Sequence, residues 1–259
     1  MMFDNLANTI AGSKTARHLV HKLVNARWFQ PIAELMLHRM PIGLWNLTQC
    51  GLTCDIVCDV GAYAGEWTQM ALPIFPSARF VLIEAQKEKE ALLLRVAQQA
   101  PGRIVHHLCL VGSEEKEAVP FYLAETGSSV YRETTSFKPF SVVDLPMRTL
   151  DRLLASEKGS IFLKLDVQGA ELDVLAGAKQ ILKRTDAILL EASLLEYNEG
   201  APQFTDVVGE LARWGYRAFD ILDVRRIGPI LAQIDIVFVK EDSPLARRAQ
   251  EHVRTYGSQ

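Results

Sequence analysis

The sequence predicts an α/β protein with a doubly wound, mostly parallel seven-stranded sheet, an antiparallel last strand and an N-terminal helical extension. From Asp55 onward, short apolar runs alternate with helical segments, which is typical of a parallel sheet with helices on both faces. The last two runs are joined by residues 223–233, which leave no room for a crossover helix, so these strands are expected to be antiparallel neighbours. With 259 residues, 49% of them hydrophobic, the chain can build one sizeable core.

Seven runs of mainly apolar residues have the length and composition of buried strands. In chain order they are Ile56–Val60, Arg79–Ile83, Ile104–Val111, Ser160–Asp166, Ala187–Glu191, Tyr216–Ile221 and Ile234–Lys240. One further run, Val119–Leu123, is predicted to be the arm of a β-hairpin. The polar stretch Thr126–Ser141, with Ser128, Ser129 and Tyr131, is predicted to be an irregular loop on the substrate side.

The segments that alternate with these strands are predicted helices, because helix-favouring residues fill them or apolar residues recur at helical spacing. They are Glu66–Leu72, Gln86–Gln99, Thr149–Ala155, Ala170–Lys183, Phe204–Trp214 and Pro244–Tyr256. Pro101 and Gly102 end the second of them, and Gly215 caps the fifth.

The chain is interpreted as three parts. Residues 1–50 carry apolar residues near helical spacing, among them Leu19 and Leu23, with basic residues between them, and are predicted to form two or three short helices that cap the sheet. Residues 51–241 form the α/β domain, and residues 242–259 form a last helix. Covering the substrate and forming a homodimer are the two further roles considered for the N-terminal helices.

The composition excludes several classes of protein. The formal net charge is −3, so no overall basic field attracts nucleic acid. No apolar run approaches the ~20 residues of a membrane-spanning helix, and the first residues lack the pattern of a signal peptide. The four cysteines are interpreted as reduced thiols, with Cys58 as a small core residue of the first strand. A cytoplasmic protein is therefore predicted.

A glycine turn follows the first strand. Asp59 lies near the end of that strand, Gly61 and Gly65 follow, and the spacing is Asp-x-Gly-x-x-x-Gly. A dinucleotide fingerprint needs a middle glycine against the pyrophosphate, and Tyr63 stands there instead. The turn therefore suits a nucleotide-like ligand without a pyrophosphate, such as S-adenosylmethionine (SAM). A nicotinamide-dependent oxidoreductase is the alternative, and it would need the missing glycine.

Four predicted strands end in a carboxylate, at Asp59, Glu84, Asp166 and Glu191. Ligands of such sheets bind outside the carboxyl ends of the strands. Glu84 ends the second strand, where a carboxylate can accept hydrogen bonds from both ribose hydroxyls of an adenosine. This position therefore indicates an adenosine ligand, without distinguishing SAM from a nicotinamide cofactor.

Lys164 and Asp166 are two residues apart in the fourth strand and face the same side of the sheet. A lysine within an apolar strand is costly unless it is paired, so Lys164 either forms a structural ion pair or is catalytic. Asp166 lies at the edge of the sheet and is the candidate general base, with Glu191 or a histidine as the alternative. No dedicated metal motif is present, but Asp166 and Glu191 could together hold Mg²⁺.

Several of these segments together resemble one family. The chain reads Asp59-Val-Gly-Ala-Tyr-Ala-Gly65 in the turn, Leu163-Lys-Leu-Asp-Val-Gln-Gly-Ala-Glu171 at the fourth strand, and Gln233-Ile-Asp-Ile-Val-Phe-Val239 in the last strand. Over about residues 52–240 these segments are similar to the FkbM family of SAM-dependent methyltransferases.

The resemblance implies a Rossmann-like class I methyltransferase fold and O-methylation of a sugar, a glycolipid or polysaccharide, or a polyketide-type natural product. SAM is then expected against the glycine turn, the end of the second strand and the turn after the fourth. The candidate cofactor-binding residues are Asp59, Gly61, Ala62, Tyr63, Gly65, Glu84, Ala85, Asp166, Val167 and Gln168. The candidate catalytic residues are Asp166, Glu191 and Lys164. A non-catalytic SAM-binding module is the alternative from a different class.

Overall fold

A computed structural model describes residues 39–134 and 141–256 of the chain. The predicted helices of residues 1–38, with the homodimer expected to form through them, lie outside these ranges. Residues 135–140 of the predicted substrate-side loop also lie outside them. The described residues form a large sheet and a small second sheet, with helices packed against the large one.

The ten described strands form the predicted large sheet and a second, three-stranded sheet. They are β1 (Ile56–Val60), β2 (Arg79–Glu84), β3 (Ile104–Leu108), β4 (Leu110–Val111), β5 (Lys116–Leu123), β6 (Ser141–Arg148), β7 (Ile161–Leu165), β8 (Thr185–Ser193), β9 (Tyr216–Ile227) and β10 (Ile230–Lys240). The large sheet has the order β3-β2-β1-β7-β8-β10-β9. β10 runs antiparallel to both of its neighbours, and the other adjacent strands are parallel. The predicted fold class is therefore confirmed.

Helices cover both faces of this sheet. They are α1 (Arg39–Gln49), α2 (Glu66–Ala71), α3 (Glu90–Ala97), α4 (Leu150–Leu153), α5 (Glu171–Ala176), α6 (Phe204–Arg213) and α7 (Pro244–Tyr256). Successive side chains of a strand point to opposite faces. Ile56 and Cys58 accordingly belong to the hydrophobic cluster that includes α4, α5 and α6, whereas Val57 belongs to the cluster that includes α1, α2, α3 and α7. None of the described helices is long and apolar enough to span a membrane.

The described end of the N-terminal extension packs on the α/β domain. Leu44 and Leu47 of α1 are buried in the same hydrophobic cluster as Val57. Gly43 lies so close to β9 that a Cβ there would come within 2.4 Å of Leu222 Cδ2. α1 therefore packs tightly against one face of the large sheet.

The small sheet has the order β4-β6-β5 and was not predicted from the sequence. The prediction of one strand over Ile104–Val111 is wrong, because the chain leaves the large sheet at Cys109, between β3 and β4. β4 then pairs with β6, and β6 pairs antiparallel with β5. The sequence does not predict β6, because this strand contains Asp144 and Pro146, two residue types that are depleted in strands.

Two other predicted bounds shift in the structure. The helix predicted over Ala170–Lys183 ends at Gly177, a poor helix former, and is followed by a 3₁₀ helix at Ile181–Arg184. The connection predicted over residues 223–233 is mostly strand, because β9 and β10 form a long hairpin that turns at residues 228–229. The antiparallel arrangement of these two strands remains as predicted.

The two glycines of the turn after β1 are required by packing. Both have positive φ, 75° at Gly61 and 83° at Gly65. A Cβ at Gly61 would lie 1.8 Å from the carbonyl oxygen of Asp166, and a Cβ at Gly65 would lie 2.8 Å from Cγ2 of Val96 on α3. Gly61 thus allows the end of β1 to approach the turn after β7, and Gly65 allows α2 to begin against α3.

We expect Gly61→Ala to destabilise the protein far more than the matched variant Gly102→Ala. Gly102 has a similar φ of 78°, so both variants carry the ~1–2 kcal/mol cost of a left-handed alanine. A Cβ at Gly102 meets nothing within 4 Å, whereas at Gly61 it collides with the backbone. Urea unfolding should therefore show a further loss of ~1–3 kcal/mol for Gly61→Ala. Equal losses in the two variants would contradict the packing role of Gly61.

Candidate active site

The carboxyl ends of the parallel strands bring the predicted acids to one edge of the large sheet. Glu84 ends β2, Asp166 directly follows β7, and Glu191 lies near the end of β8. Glu84, Lys164 and Asp166 line one cavity at this edge, and Asp166 and Glu191 line a second cavity beside it. Asp59 is fully buried and lines neither of them.

Lys164 forms a buried ion pair. Its Nζ lies 2.9 Å from Asp59 Oδ1, donates to the Gly61 carbonyl at 3.1 Å, and lies 3.7 Å from Asp166 Oδ2. Asp59 Oδ2 accepts a hydrogen bond from Thr68 Oγ1 of α2 at 2.7 Å. Burial alone would lower the pKa of Lys164, but the Asp59 and Asp166 carboxylates outweigh it and raise that pKa. Lys164 therefore stays a cation, which favours a structural ion pair over a catalytic base.

Glu84 is held by backbone N–H groups on both carboxylate oxygens. Tyr63 N donates to Oε2 and Gln86 N donates to Oε1, each at 2.7 Å. Burial raises the pKa of this carboxyl, and the two hydrogen bonds act in the opposite direction. Each carboxylate oxygen can accept a further hydrogen bond. Glu84 therefore retains the capacity to bind two ligand hydroxyls.

The first cavity, called here the loop cavity, lies between the glycine turn, the end of β2 and the turn after β7. It measures about 1000 Å³ including its open mouth. Most of the predicted cofactor-binding residues line it, namely Gly61, Ala62, Tyr63, Glu84, Ala85, Asp166, Val167 and Gln168. Asp59 and Gly65 do not, because Asp59 pairs with Lys164 and Gly65 packs on α3.

Sequence reasoning missed the apolar wall of the loop cavity. Leu110 and Val111 of β4, Phe121 of β5 and Val130 beyond it all line the cavity. The unpredicted small sheet supplies most of this wall, so no local pattern marked these residues. Trp67 of α2 also lines the cavity, and its indole Nε1 is buried without a hydrogen-bond partner among the described residues. Such a donor indicates a polar ligand atom at this position.

The second cavity, called here the wide cavity, adjoins the loop cavity and measures about 2100 Å³ including its mouth. Four residues line both cavities: Gln86, Thr126, Asp166 and Gln168. The rest of the wide cavity is lined largely by polar side chains, namely Glu88, Lys89, Glu125, Glu133, Ser141, Glu191, Tyr197, Asn198, Arg225 and Gln233. Asp166 and Gln168 therefore lie at the junction between an apolar-walled cavity and a polar one.

The polar side chains of the predicted substrate-side loop bind to the protein itself. Ser128 Oγ donates to the Glu125 carbonyl, and Ser129 Oγ donates to the Gln168 carbonyl, each at 2.8 Å. Tyr131 Oη donates to a carboxylate oxygen of Asp173 at 2.8 Å. In the described part of this loop, these three groups therefore fix its course beside the two cavities.

The side chain of Gln168 connects the two candidate bases. Its Nε2 donates to Asp166 Oδ1 at 2.8 Å and to Glu191 Oε1 at 3.1 Å. The backbone carbonyl oxygen of Gln168 accepts hydrogen bonds from Ser129 Oγ at 2.8 Å and from Asn198 Nδ2 at 2.6 Å. These bonds hold Gln168 at a φ of 54°, a strained conformation for a residue with a side chain.

Strained backbone is concentrated around the two cavities. Tyr63 (φ 48°), Glu125 (φ 53°) and Gln168 are the non-glycine residues with positive φ among those described, and each lines one or both cavities. Tyr63 Oη donates to Glu125 Oε2 at 2.7 Å, and Lys89 Nζ lies 2.9 Å from the same oxygen. Conformations of this kind persist only where surrounding contacts enforce them, and they cluster at functional sites.

Glu191 accepts two amide hydrogen bonds on one oxygen. Gln233 Nε2 donates to Oε1 at 2.6 Å, in addition to the bond from Gln168. Burial and then the nearby Asp166 and Asp235 carboxylates raise the pKa of Glu191, so its protonated form persists to higher pH. The Asp166 side chain, 41% exposed, is the more accessible carboxylate at the junction. This arrangement favours Asp166 over Glu191 as a proton acceptor.

The remaining alternatives receive little support from the described residues. These contain no group of three or more His, Cys, Asp or Glu side chains arranged to hold a metal ion. The Mg²⁺ alternative would thus depend on two carboxylates that the Gln168 amide already bridges. His106 of β3 lies 3.8 Å from Glu90 Oε1 and, like His107, lines neither cavity.

The strand order, the reversed β10 and a ligand cavity outside β1, β2 and β7 define the protein as a SAM-dependent methyltransferase of class I. The chain belongs to the FkbM methyltransferase family, because the family model described as Methyltransferase FkbM domain matches residues 59–218, more than half of its length. The resemblance noted in the sequence is thereby confirmed, and the nicotinamide-dependent alternative is set aside.

Solved structures with a similar fold include three methyltransferases. Magnesium protoporphyrin IX methyltransferase from Synechocystis PCC 6803, with bound SAM, is 8% identical over 91% of this chain and 96% of that chain, with a TM-score of 0.44. 1,6-Didemethyltoxoflavin-N1-methyltransferase from Burkholderia thailandensis is 14% identical over 88% of this chain and 89% of that chain, with a TM-score of 0.44. Precorrin-6y C5,15-methyltransferase from Geobacter metallireducens GS-15 is 12% identical over 77% of this chain and 87% of that chain, with a TM-score of 0.42. No curated protein matches significantly.

The residues of the loop cavity fit SAM. Glu84 can accept its ribose hydroxyls, and the apolar wall of Leu110, Val111 and Phe121 can cover its adenine ring. The Glu84 acceptor oxygens and the apolar wall thus match the nucleoside part of SAM.

We expect Glu84→Gln to weaken binding of S-adenosylhomocysteine (SAH) by ~10–100-fold. Each hydrogen bond to a charged group contributes ~1.5–3 kcal/mol, and the amide would also bring N–H donors against the backbone N–H groups of Tyr63 and Gln86. Calorimetric titration with SAH measures the change. The control is Glu114→Gln, at an exposed carboxylate paired with Lys116. Unchanged SAH affinity in Glu84→Gln would contradict the ribose-binding role.

We expect Lys164→Met to lower the free energy of unfolding by ~3–5 kcal/mol, because it leaves Asp59 charged, buried and without its ion-pair partner. Adding Asp59→Asn should restore part of the loss, since the orphaned charge is then removed. Urea unfolding of the two variants tests this, with Lys183→Met at an exposed lysine as the control. A loss below ~1 kcal/mol, as for an exposed pair, would contradict the assignment.

Proposed function

We propose that the protein transfers the methyl group of SAM to a hydroxyl oxygen of an acceptor that occupies the wide cavity. The acceptor classes are those that the family resemblance implies: a sugar, a glycolipid or polysaccharide, or a polyketide-type natural product. The observation that carries this proposal is the position of Asp166, which lines both cavities. A methyl donor in the loop cavity and a hydroxyl in the wide cavity would meet beside this carboxylate.

The lining of the wide cavity supports a hydroxylated acceptor. Amide and carboxylate side chains from separate parts of the chain converge there, among them Gln168, Glu191, Asn198 and Gln233. A hydroxyl group both donates and accepts hydrogen bonds, so it can pair with either kind of group. An apolar acceptor would leave a buried acceptor atom such as Asn198 Oδ1 without a partner, at ~1–3 kcal/mol.

Asp166 is the proposed proton acceptor. SAM, when bound, supplies a methyl group activated by the sulfonium. As the acceptor oxygen bonds to the methyl carbon and the carbon–sulfur bond breaks, the hydroxyl proton passes to the Asp166 carboxylate, leaving a methyl ether and SAH. Gln168 orients this carboxylate through its Oδ1, while the Lys164 ammonium lies 3.7 Å from Oδ2.

The proposed function is tested with ¹³C-methyl SAM and a panel of acceptors. Neutral methyl glycosides and a polyhydroxylated polyketide lactone represent hydroxyl acceptors, and a primary amine and an imidazole represent nitrogen acceptors. NMR of the products identifies the atom that carries the label. We expect the label on an oxygen of a hydroxylated acceptor. Label on nitrogen, or on none of the hydroxylated acceptors, would contradict O-methylation.

We expect Asp166→Asn to lower kcat by ~10²–10⁴-fold, the usual contribution of a general base, and to leave SAH affinity within about threefold. Some activity should remain, because positioning of the reactants contributes ~7–11 kcal/mol, more than the base does. Turnover assays and SAH titration measure the two effects. The control is Asp144→Asn, at an exposed position of β6. Wild-type turnover in Asp166→Asn would exclude Asp166 as the base.

A further inference from the structure

Two adjacent residues beyond β8 carry buried polar atoms that no described residue uses. Tyr197 Oη and Asn198 Oδ1 are inaccessible to solvent and have no hydrogen-bond partner within the described chain. The Asn198 residue as a whole is only 7% exposed. An unsatisfied buried polar group normally costs ~1–3 kcal/mol, so two neighbouring ones indicate a missing partner.

The orientation of the Asn198 amide follows from its one hydrogen bond. Asn198 Nδ2 donates to the Gln168 carbonyl at 2.6 Å. A carbonyl oxygen can only accept, so the amide nitrogen must face it and Oδ1 must be the free atom. The free atom is therefore an acceptor that needs a donor from a ligand, while the Tyr197 hydroxyl can donate or accept.

The backbone of these residues is tied to the segment before residue 135. Thr134 N donates to the Tyr197 carbonyl at 2.8 Å, and Glu199 N donates to the Arg132 carbonyl at 2.9 Å. Glu133 and Asn198 form an isolated β-bridge between these bonds. The two side chains are thus presented from backbone that is fixed on both sides.

Both residues line the wide cavity and also a small side pocket that opens beside Glu191. Ser193 and Gly169 complete part of the wall of this side pocket. The side pocket has room for about one water-sized group. It can therefore admit a single hydroxyl group, while the rest of a ligand stays in the wide cavity. Because Tyr197 Oη and Asn198 Oδ1 are closed to solvent in this structure, the two side chains must turn toward this hydroxyl to bond it.

The lining of the side pocket offers an anionic group no hydrogen-bond donor from a lysine or arginine. Three acids line it, Glu171, Glu191 and Glu196, and no lysine or arginine is among its lining residues. A carboxylate or phosphate would face these acids and could not donate to Asn198 Oδ1. A neutral hydroxyl can donate to Oδ1 and is not repelled.

We propose that Tyr197 and Asn198 form a subsite that binds an uncharged hydroxyl of the methyl acceptor, distinct from the hydroxyl that is methylated. The subsite rests on the proposed function, because that function assigns the wide cavity to the acceptor. Asn198 contacts Gln168, and Gln168 orients Asp166. The acceptor is therefore held by the same network that positions the base, and the group that the subsite binds is a hydroxyl rather than an anion.

The test compares Tyr197→Phe with Tyr216→Phe in the full-length protein. Tyr216 Oη donates to the Thr185 carbonyl at 2.8 Å, and Tyr216 lines neither cavity, so Tyr216→Phe should lose stability and bind ligands as the wild type does. Tyr197→Phe removes an unpartnered hydroxyl, so its urea midpoint should equal or exceed that of the wild type. The probe is methyl α-D-glucopyranoside, titrated calorimetrically into the SAH complex. Tyr197→Phe should bind the glucoside ~10-fold more weakly.

Three results would overturn the subsite: a loss of stability in Tyr197→Phe like that in Tyr216→Phe, glucoside affinity unchanged in Tyr197→Phe, or no saturable binding of the glucoside to the wild type. The last would leave the pocket with an ordered water only. These outcomes are separable from failure of the proposed function. If the ¹³C label is found on a hydroxyl oxygen but Tyr197→Phe binds the glucoside as the wild type does, only the subsite is overturned. If the label is found on nitrogen but Tyr197→Phe still binds the glucoside more weakly, only O-methylation is overturned.

Discussion

The ion pair between Lys164 and Asp59 fixes both sides of the cofactor cavity. The two residues are paired in register on adjacent strands β1 and β7, deep in the sheet. The Lys164 ammonium also binds the Gly61 carbonyl and approaches Asp166, so one cation joins the glycine turn to the turn that carries the candidate base. Burying such a pair is stabilising only when its remaining donors and acceptors are satisfied. Thr68 donates to Asp59 Oδ2 and Gly61 accepts from the ammonium, whereas Asp59 Oδ1 has the ionic contact with Lys164 as its one partner among the described residues.

The second constraint is the approach of backbone to backbone at Gly61. Because no Cβ intervenes, the Asp166 carbonyl can lie against this glycine. The turn after β7 is then held by side chains from other elements, with Ser129 and Asn198 on the Gln168 carbonyl. The Asp166 carboxylate is thus oriented before any ligand arrives, which is the condition under which positioning contributes to catalysis. The two cavities divide the proposed reaction between a donor and an acceptor that meet at this carboxylate.

Much of the fold and part of the site could be predicted, because the sequence patterns that mark them are local. Apolar runs mark the strands, and acids at their ends, such as Glu84 and Asp166, must share one sheet edge once the strands are parallel. The apolar cavity wall could not be predicted, because Phe121 lies in this wall only as part of the small sheet. The central strand of that sheet, β6, contains Pro146, a residue type that is depleted in strands. Gln233 is opposite Ser193 in the antiparallel register of β10 and β8 and reaches Glu191 two residues away, a contact that no single segment encodes.

The crystal structure of the full-length protein with SAH tests the central claim most directly. That claim is that the loop cavity holds the methyl donor with its reactive end at the junction marked by Asp166. The account predicts both ribose hydroxyls on the Glu84 carboxylate and the SAH sulfur directed toward Asp166 and the wide cavity. SAH bound elsewhere, or bound in the loop cavity with its sulfur turned away from the wide cavity, would contradict it.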